Sequence, residues 1–562
     1  MEHEMTPQSV TAEYSAGLRF KNGIELYDCV QTNENFFIGK QWEGVKSNGL
    51  PTPVFNFLKR VVLFSVANVS TDNLKLHAKP LPSSGQYPTQ LMEILSDILN
   101  DQFAGIFEFN KMGSCIREFC RNAAVDGDGC MYTYWDPDIE TGQPSRGAIR
   151  TEVLQNTQVM FGNPNSRDVQ SQPYILIERR LLLREAKRRA RENGVSGDDI
   201  SLITADEKES GDSRLDQLGG DKVTVLLRLW RDEDSGTIHG YECTQNAVVH
   251  PEWDMGIKLY PLTWMNWDYV QDCYHGQAMI TGLIPNQIFV NKLFAMSMIS
   301  LMTLAYPKVV FDKTKVSKWS NRVGASIAVN GNVDNVAKII DPAQISPQIS
   351  QFIDLAISYT QKFLGASDVA LGDTRPDNTS AIIALQRAAA TPMELTKQNL
   401  LQSIEDLGRI YMEFMGEYYG TRYVEINGQN GQVKMVLPFD FSALQKIPFT
   451  VDLDVGASSY WSEIASMQTL DNLLMNGKID TIEYLKRLPA GQITDRETLI
   501  AVLQRDREMQ MRAAGMPVDQ VEQESGGSPG LPDAETAPIR GGPGYGELQR
   551  KINQTGEVPK EG

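Results

Sequence analysis

Between Asp272 and Lys308 the only charged side chain is Lys292, and that window limits the fold more than any other stretch of the chain. A helix crossing a bilayer needs about 20 predominantly apolar residues. Here Pro285, Asn286, Gln287, Asn291 and Lys292 interrupt the first half, and the uncharged remainder, 293–307, is too short to span. A membrane span is thus the least favoured reading of the helix expected over 284–305. A core helix and a helix packed between subunits both stay open. Ser297, Ser300 and Thr303 recur at helical spacing beside an apolar stripe of Phe294, Met298, Leu301 and Met302. A segment rich in Lys and β-branched residues follows (306–344), then a second helix (345–364), an Asp/Gly/Pro loop (365–378) and a long amphipathic helix interrupted by Pro392. Proline removes a backbone donor and clashes one turn back, so that helix must kink or divide. The order holds no catalytic constellation and reads as a part made to sit beside copies of itself.

The length of 562 residues suits two to four domains with large cores. A net charge of -18 argues against a protein that coats nucleic acid, which would normally be basic. It leaves room for a conduit, which should not hold its cargo. Six cysteines (Cys29, Cys115, Cys120, Cys130, Cys243, Cys273) form no CxxC pair and suggest free, mostly buried thiols in a reducing compartment. The first residues, MEHEM, show no basic or apolar signal region.

Periodicity gives a mixed α+β chain. An opening helix over the first 30 residues precedes a segment in which Gly39 or Gly44 supplies a left-handed cap. Helices are expected over 56–69, 89–107 and 110–125. A DGDG turn (126–129) then leads into the aromatic, β-branched run 130–135, which suits a strand. Residues 224–230 and 238–245 flank a turn and read as a hairpin. The run RRLLLREAKRRAR (179–191) reads as a basic helix, and 192–220 as a mobile acidic loop. Leu400, Ile404, Leu407, Tyr411 and Phe414 mark one buried helical face. Residues 422–453 read as strands, with short helices after 459 and a disordered tail over 514–562.

Enzyme signatures are missing. Five histidines (His3, His77, His239, His250, His275) form no HxxxH or HxxH pair, and there is neither a P-loop nor a GxSxG elbow. The run 136–147 fails as a calcium loop because its sixth position is Thr141 and its twelfth Gly147. Asp126 and Asp128 are better explained by a simple turn than by a cation site. No metal, cofactor or enzyme activity is expected.

Several stretches, in order, resemble the portal proteins of tailed bacteriophages. They are NFFIGKQWEG (35–44), the helix after it (56–69), AAVDGDGCMYTYWD (123–136), GDTRPDNTSAIIAL (372–385) and the leucine-rich region 456–488. The resemblance covers roughly 25–512. It implies a homo-oligomeric ring of about twelve subunits at one capsid vertex of the virion, assembled in the host cytoplasm, through which double-stranded DNA passes. Major capsid protein, scaffold, terminase and tail adaptor would be its partners, with no membrane. On that resemblance 1–283 is an N-terminal wing, 284–305 and 345–364 are stem helices, and 306–344 is a clip. Residues 365–378 are a tunnel loop, 379–458 the kinked helix and wing strands, and 459–513 a helical crown. The clip carries Lys308, Lys313, Lys315, Lys318, Arg322 and Lys338 against three acids, an excess suited to an acidic partner or DNA phosphates. A solvated surface explains any single lysine as well. The tunnel loop, with Asp368, Asp373, Asp377 and Asn378 against Arg375, would face DNA without holding it. Arg184, Lys187, Arg188, Arg189 and Arg191 would meet capsid, scaffold or genome, or form a solvated face. Another virion connector or an oligomeric adaptor is the alternative class, with an enzyme less favoured.

Overall fold

The computed structural model describes residues 5–47, 51–70, 74–80, 89–206, 221–305, 309–320, 322, 326–334, 336–339, 348–363, 393–427, 434–446, 449–454, 460–488, 499–500, 502–503 and 505. It divides into two compact units, Met1–Ser458 and Ser459–Gly562.

The first unit opens with α1 (Pro7–Gly23), started by a capping box between Thr6 and Ser9 with Pro7 in the first turn. Next comes α2 (Leu26–Ile38), which ends where Gly39 takes φ 96°, so Gly39 is the cap that the glycine pair announced. Asn56 caps α3 (Phe57–Val69) by accepting from Lys59 N. Strand β1 (Lys75–Pro80) leads to α4 (Thr89–Phe109) and α5 (Met112–Asp126). The chain then turns at Gly127 (φ 103°), where a Cβ would lie 2.7 Å from Gly276 O. Strands β2 (Asp128–Asp136), β3 (Ala148–Leu154), β4 (Val159–Phe161) and β5 (Tyr174–Leu182) follow. After α6 (Leu183–Glu192) and α7 (Gly197–Ser201) come β6 (Lys222–Arg231), β7 (Ile238–Cys243), β8 (Val248–Asp254) and β9 (Leu262–Asn266).

Two antiparallel sheets carry the body, ordered β4-β5-β6-β7-β8 and β3-β2-β9. The expected hairpin is β6 with β7, in register from Arg231 opposite Ile238. Alternation along β5 and β6 splits the larger sheet into two faces. Leu176 and Leu226 meet Val10 of α1 on one face. On the other, Ile175, Ile177, Leu227 and Leu229 join the main core. At the far end of that second face, Val223 and Val225 meet Ala186 and Ala190 of α6.

Two readings of the sequence need correction. The basic helix begins at Leu183, not Arg179: Arg179 to Leu182 continue β5, paired through Leu182 opposite Lys222. The run of charges hid the end of the sheet, because ladder pairing with β6 outranks local helix propensity there. The acidic segment after 192 is also not all loop, since Ser196 caps the short α7.

Beyond the body run α8 (Ile284–Ala305), the antiparallel pair β10 (Val309–Phe311) and β11 (Ala337–Ile339), and α9 (Gln348–Phe363). Residues 365–378 and Pro392, hence the acidic loop and the kink, lie outside the described residues. The chain resumes in α10 (Glu394–Tyr418), β12 (Thr421–Asn427), β13 (Lys434–Asp440) and β14 (Phe449–Asp454). β12 pairs with β13, and β14 returns to β1. In α10 all five residues of the expected stripe are buried, each stabilising the fold by about 1.5–3 kcal/mol relative to exposure. In the second unit, α11 (Tyr460–Met475) and α12 (Thr481–Arg487) are joined by a bond from Tyr484 Oη to Asp471.

Candidate functional site

Helix α8 is apolar around most of its circumference. Such a helix is ordinarily buried on all sides, yet here burial changes along its length. One face of the first half sits in the body, with Gln287, Val290 and Asn291 buried and Phe294 stacked on Phe55 at 3.8 Å between centroids, while Phe289 on another face is exposed. The helix packs against α9, and past Phe294 its Met296, Met298, Leu301 and Met302 are 40–55% exposed. Phe352 and Leu355 of α9 are exposed as well. Ser297 Oγ and Thr303 Oγ1 donate to carbonyls one turn back, so neither hydroxyl asks for a partner elsewhere. Several exposed apolar residues on one helical pair are more than the scattered single ones that a surface ordinarily carries.

At the end of this helical pair, β10 and β11 form a module around buried Val316, with Phe311 stacked on Trp319. Lys313, Lys318, Arg322 and Lys338 are exposed on it and Lys315 is half-buried; Lys308 lies outside the described residues. Asp312 accepts from Thr314 N and Oγ1, and those bonds hold its carboxyl below the usual range. This acid is therefore turned inward on its own loop, and the lysines keep the local charge positive. Val310 and Val333 are exposed among them. Asp368, Asp373, Arg375, Asp377 and Asn378 are all outside the described residues.

The basic helix α6 lies on a different element, against β5, β6 and β8. Its two alanines face the sheet, so Arg184, Arg188 and Arg191 are exposed and Lys187 and Arg189 half-buried. Arg189 pairs with Glu185 at 3.1 Å and Arg188 with Glu192 at 3.7 Å. Exposed pairs of this type contribute little and are screened by salt.

Sequence reasoning missed a buried polar hub. Asp128, read as part of a simple turn, is fully buried and accepts from His275 Nδ1, Gly276 N and Asn266 Nδ2 at 2.7 Å each and from Asn156 Nδ2 at 3.2 Å. Lys21 of α1 is buried beside it, donating to Asn156 O and Thr157 O, and burial brings its ammonium down to about 7. His275 is also held below its usual value, because burial outweighs the adjacent Asp128. Burial, then the charge of Glu34, push Asp126 up to about 7 against the pull of Arg121. The hub ties α1, the start of β2 and the 266–276 loop together, and that loop leads into α8.

A polar cleft of about 460 Å³ lies between β9, α10 and residues 167–170. Its lining has no His or Cys, Ser403 Oγ donates to Asn399 O, and Arg409 pairs with Asp406 at 2.7 Å. Among the described residues no helix is long and apolar enough to cross a membrane.

A family model described as "Phage P22-like portal protein" matches residues 30–482. No curated protein matches the chain.

Proposed function

Because the chain belongs to the P22-like phage portal protein family, a structural and non-enzymatic family, we propose that it forms a closed ring at one capsid vertex through which double-stranded DNA is packaged and ejected. In this reading α8 and α9 are the stem helices and β10–β11 with its loops is the clip, which receives terminase during packaging and the tail adaptor afterwards. The observation that carries the reading is the exposed apolar half of α8 in a single chain, which neighbouring copies would cover. Closed cyclic symmetry lets one such patch serve every subunit.

The remaining roles follow from charge. Lys313, Lys318, Arg322 and Lys338 meet acidic groups of the motor or adaptor, or DNA phosphates. Asp368, Asp373 and Asp377 lie near the DNA path, where acids disfavour sticking. Arg184, Lys187 and Arg188 contact capsid, scaffold or genome. Charge reversal at those three positions is expected to lower procapsid incorporation, more at low salt than at high salt. Deleting 368–377 is expected to change packaged DNA length while leaving rings intact.

Single-particle imaging of the purified chain, together with its mass, tests the central claim. The expected particle is a ring with an axial channel and about twelve times the 62.7 kDa of one chain. A monomer or dimer, both alone and in the presence of scaffold, would overturn it.

A further inference from the structure

Two of the five residues that interrupt the apolar window, Gln287 and Asn291, stand one turn apart on α8 and are buried together with Gln41. Asn291 Nδ2 donates to Gln41 Oε1 at 2.6 Å, and Gln41 Nε2 donates to Phe36 O. Gln287 Nε2 donates to Phe55 O at 2.6 Å and to Asn291 Oδ1 at 3.0 Å. Two body amides complete the set: Phe55 N donates to Asn291 Oδ1 and Leu58 N to Gln287 Oε1, both at 3.4 Å. Phe55 then stacks on Phe294, about one turn further along α8. An apolar contact here would be simpler and at least as stable, since burying polar groups gains little net free energy. What amides add is direction, because hydrogen bonds weaken steeply as they bend, whereas apolar packing is non-directional.

We propose that this amide clamp fixes the angle at which α8 leaves the body and thereby sets the number of subunits in the ring. The proposal rests on the portal reading above. Past Phe294, α8 runs another 11 residues, about 16 Å of helix at 1.5 Å per residue. A pivot of about 10° at the clamp therefore moves the tip by roughly 3 Å, comparable to half a helical turn. Copy number is more sensitive still. Successive subunits turn by about 30° in a twelvefold ring and about 28° in a thirteenfold one. Two or three degrees of play at the joint are enough to blur the count. A single buried Asn in a coiled coil acts in the same way, specifying assembly at a cost in stability.

The test compares the full-length chain with Asn291→Leu, with the pair Gln41→Leu/Asn291→Leu, and with Phe55→Leu, by melting temperature and by native mass spectrometry of the rings. Asn291→Leu leaves Gln41 Oε1 unpaired in the core and is expected to melt roughly 4–10 °C lower. The pair removes that orphan and is expected to recover part of the loss. Its rings are nevertheless expected to spread over at least two adjacent copy numbers while the unmodified chain gives one. A merely structural clamp would return uniform rings along with the stability, and that result overturns the proposal. Phe55→Leu orphans no polar group, so it tests the joint even if the Asn291 variants do not fold; rings of one copy number from it also count against the clamp. Mixed copy numbers from the unmodified chain overturn the proposal while leaving the portal reading in place. No ring from the unmodified chain fails the portal reading itself, and the clamp with it.

Discussion

In α10 the stripe Leu400, Ile404, Leu407, Tyr411 and Phe414 is 0% exposed, whereas in α8 Met296, Leu301 and Met302 keep more than half of their surface. The two helices have similar lengths, 25 and 22 residues. The difference lies in where their apolar groups find partners. Those of α10 are met by β9, β14 and residues 441–446 of the same chain, while Met296, Met298, Leu301 and Met302 of α8 stay exposed in the single chain. The body behaves as a finished domain, and in the proposed ring the helical pair would be half of an interface.

The contrast would break most visibly at the polar hub. Replacing Asp128 by Ala leaves His275 Nδ1 and Gly276 N without their acceptor and takes one of two acceptors from the amides of Asn266 and Asn156, which keep Tyr274 O and Asp126 O. A loss of about 3–5 kcal/mol in chain stability is expected, read by urea unfolding of the dissociated chain. If Asp128→Ala unfolds no more easily than the unmodified chain, the hub does not anchor the body. Leu407→Ala in α10 comes next, at about 2–5 kcal/mol, since a fully buried leucine leaves a cavity.

How much of this was legible in the sequence divides along the same line. The stripe of α10, the limits of α8 and the β6–β7 hairpin all rest on local periodicity, so they could be read directly. The hub could not: Lys21, Asp128, Asn156, Asn266 and His275 are scattered through the chain and meet only through tertiary folding. Gln287 and Asn291 were visible as interruptions of an apolar window, but nothing nearby in sequence points to Gln41 or Phe55. The start of α6 was misplaced for the opposite reason, a local charge run that outlasts the strand it begins in. Around β10 and β11 the excess of lysines could be read directly, and the fold adds that Asp312 accepts from Thr314.

Asp126 sharpens the comparison through pH. Its folded value, about 7, lies above the ordinary carboxylate value of 3.8. For a carboxyl raised by folding, the unfolded chain ionises first. Stability therefore falls as pH rises from about 4 to about 7, and the full penalty persists above that. Lys21 works in the other window: lowered to about 7 from 10.5, it makes stability rise between those values. Asp126→Asn is expected to flatten the profile between pH 4 and 7 and to add on the order of 1–4 kcal/mol at pH 8. An unchanged profile would mean that Asp126 is as well solvated in the fold as in the unfolded chain.

The smallest expected effect on the chain itself is at the tip of α8, and there the two regions separate most cleanly. Met302 is 55% exposed, so Met302→Glu removes almost no contact within the chain, and its unfolding free energy is expected to stay within about 0.5 kcal/mol. In a ring the same carboxylate would enter an apolar seam between subunits and remain unpaired, and buried unpaired charge is among the costliest changes known. Intact stability with lost assembly, measured on one preparation by unfolding and by sedimentation, is thus the expected pair of results. Lost stability would place Met302 in the core of its own chain, and intact rings would move the subunit seam away from this face of α8.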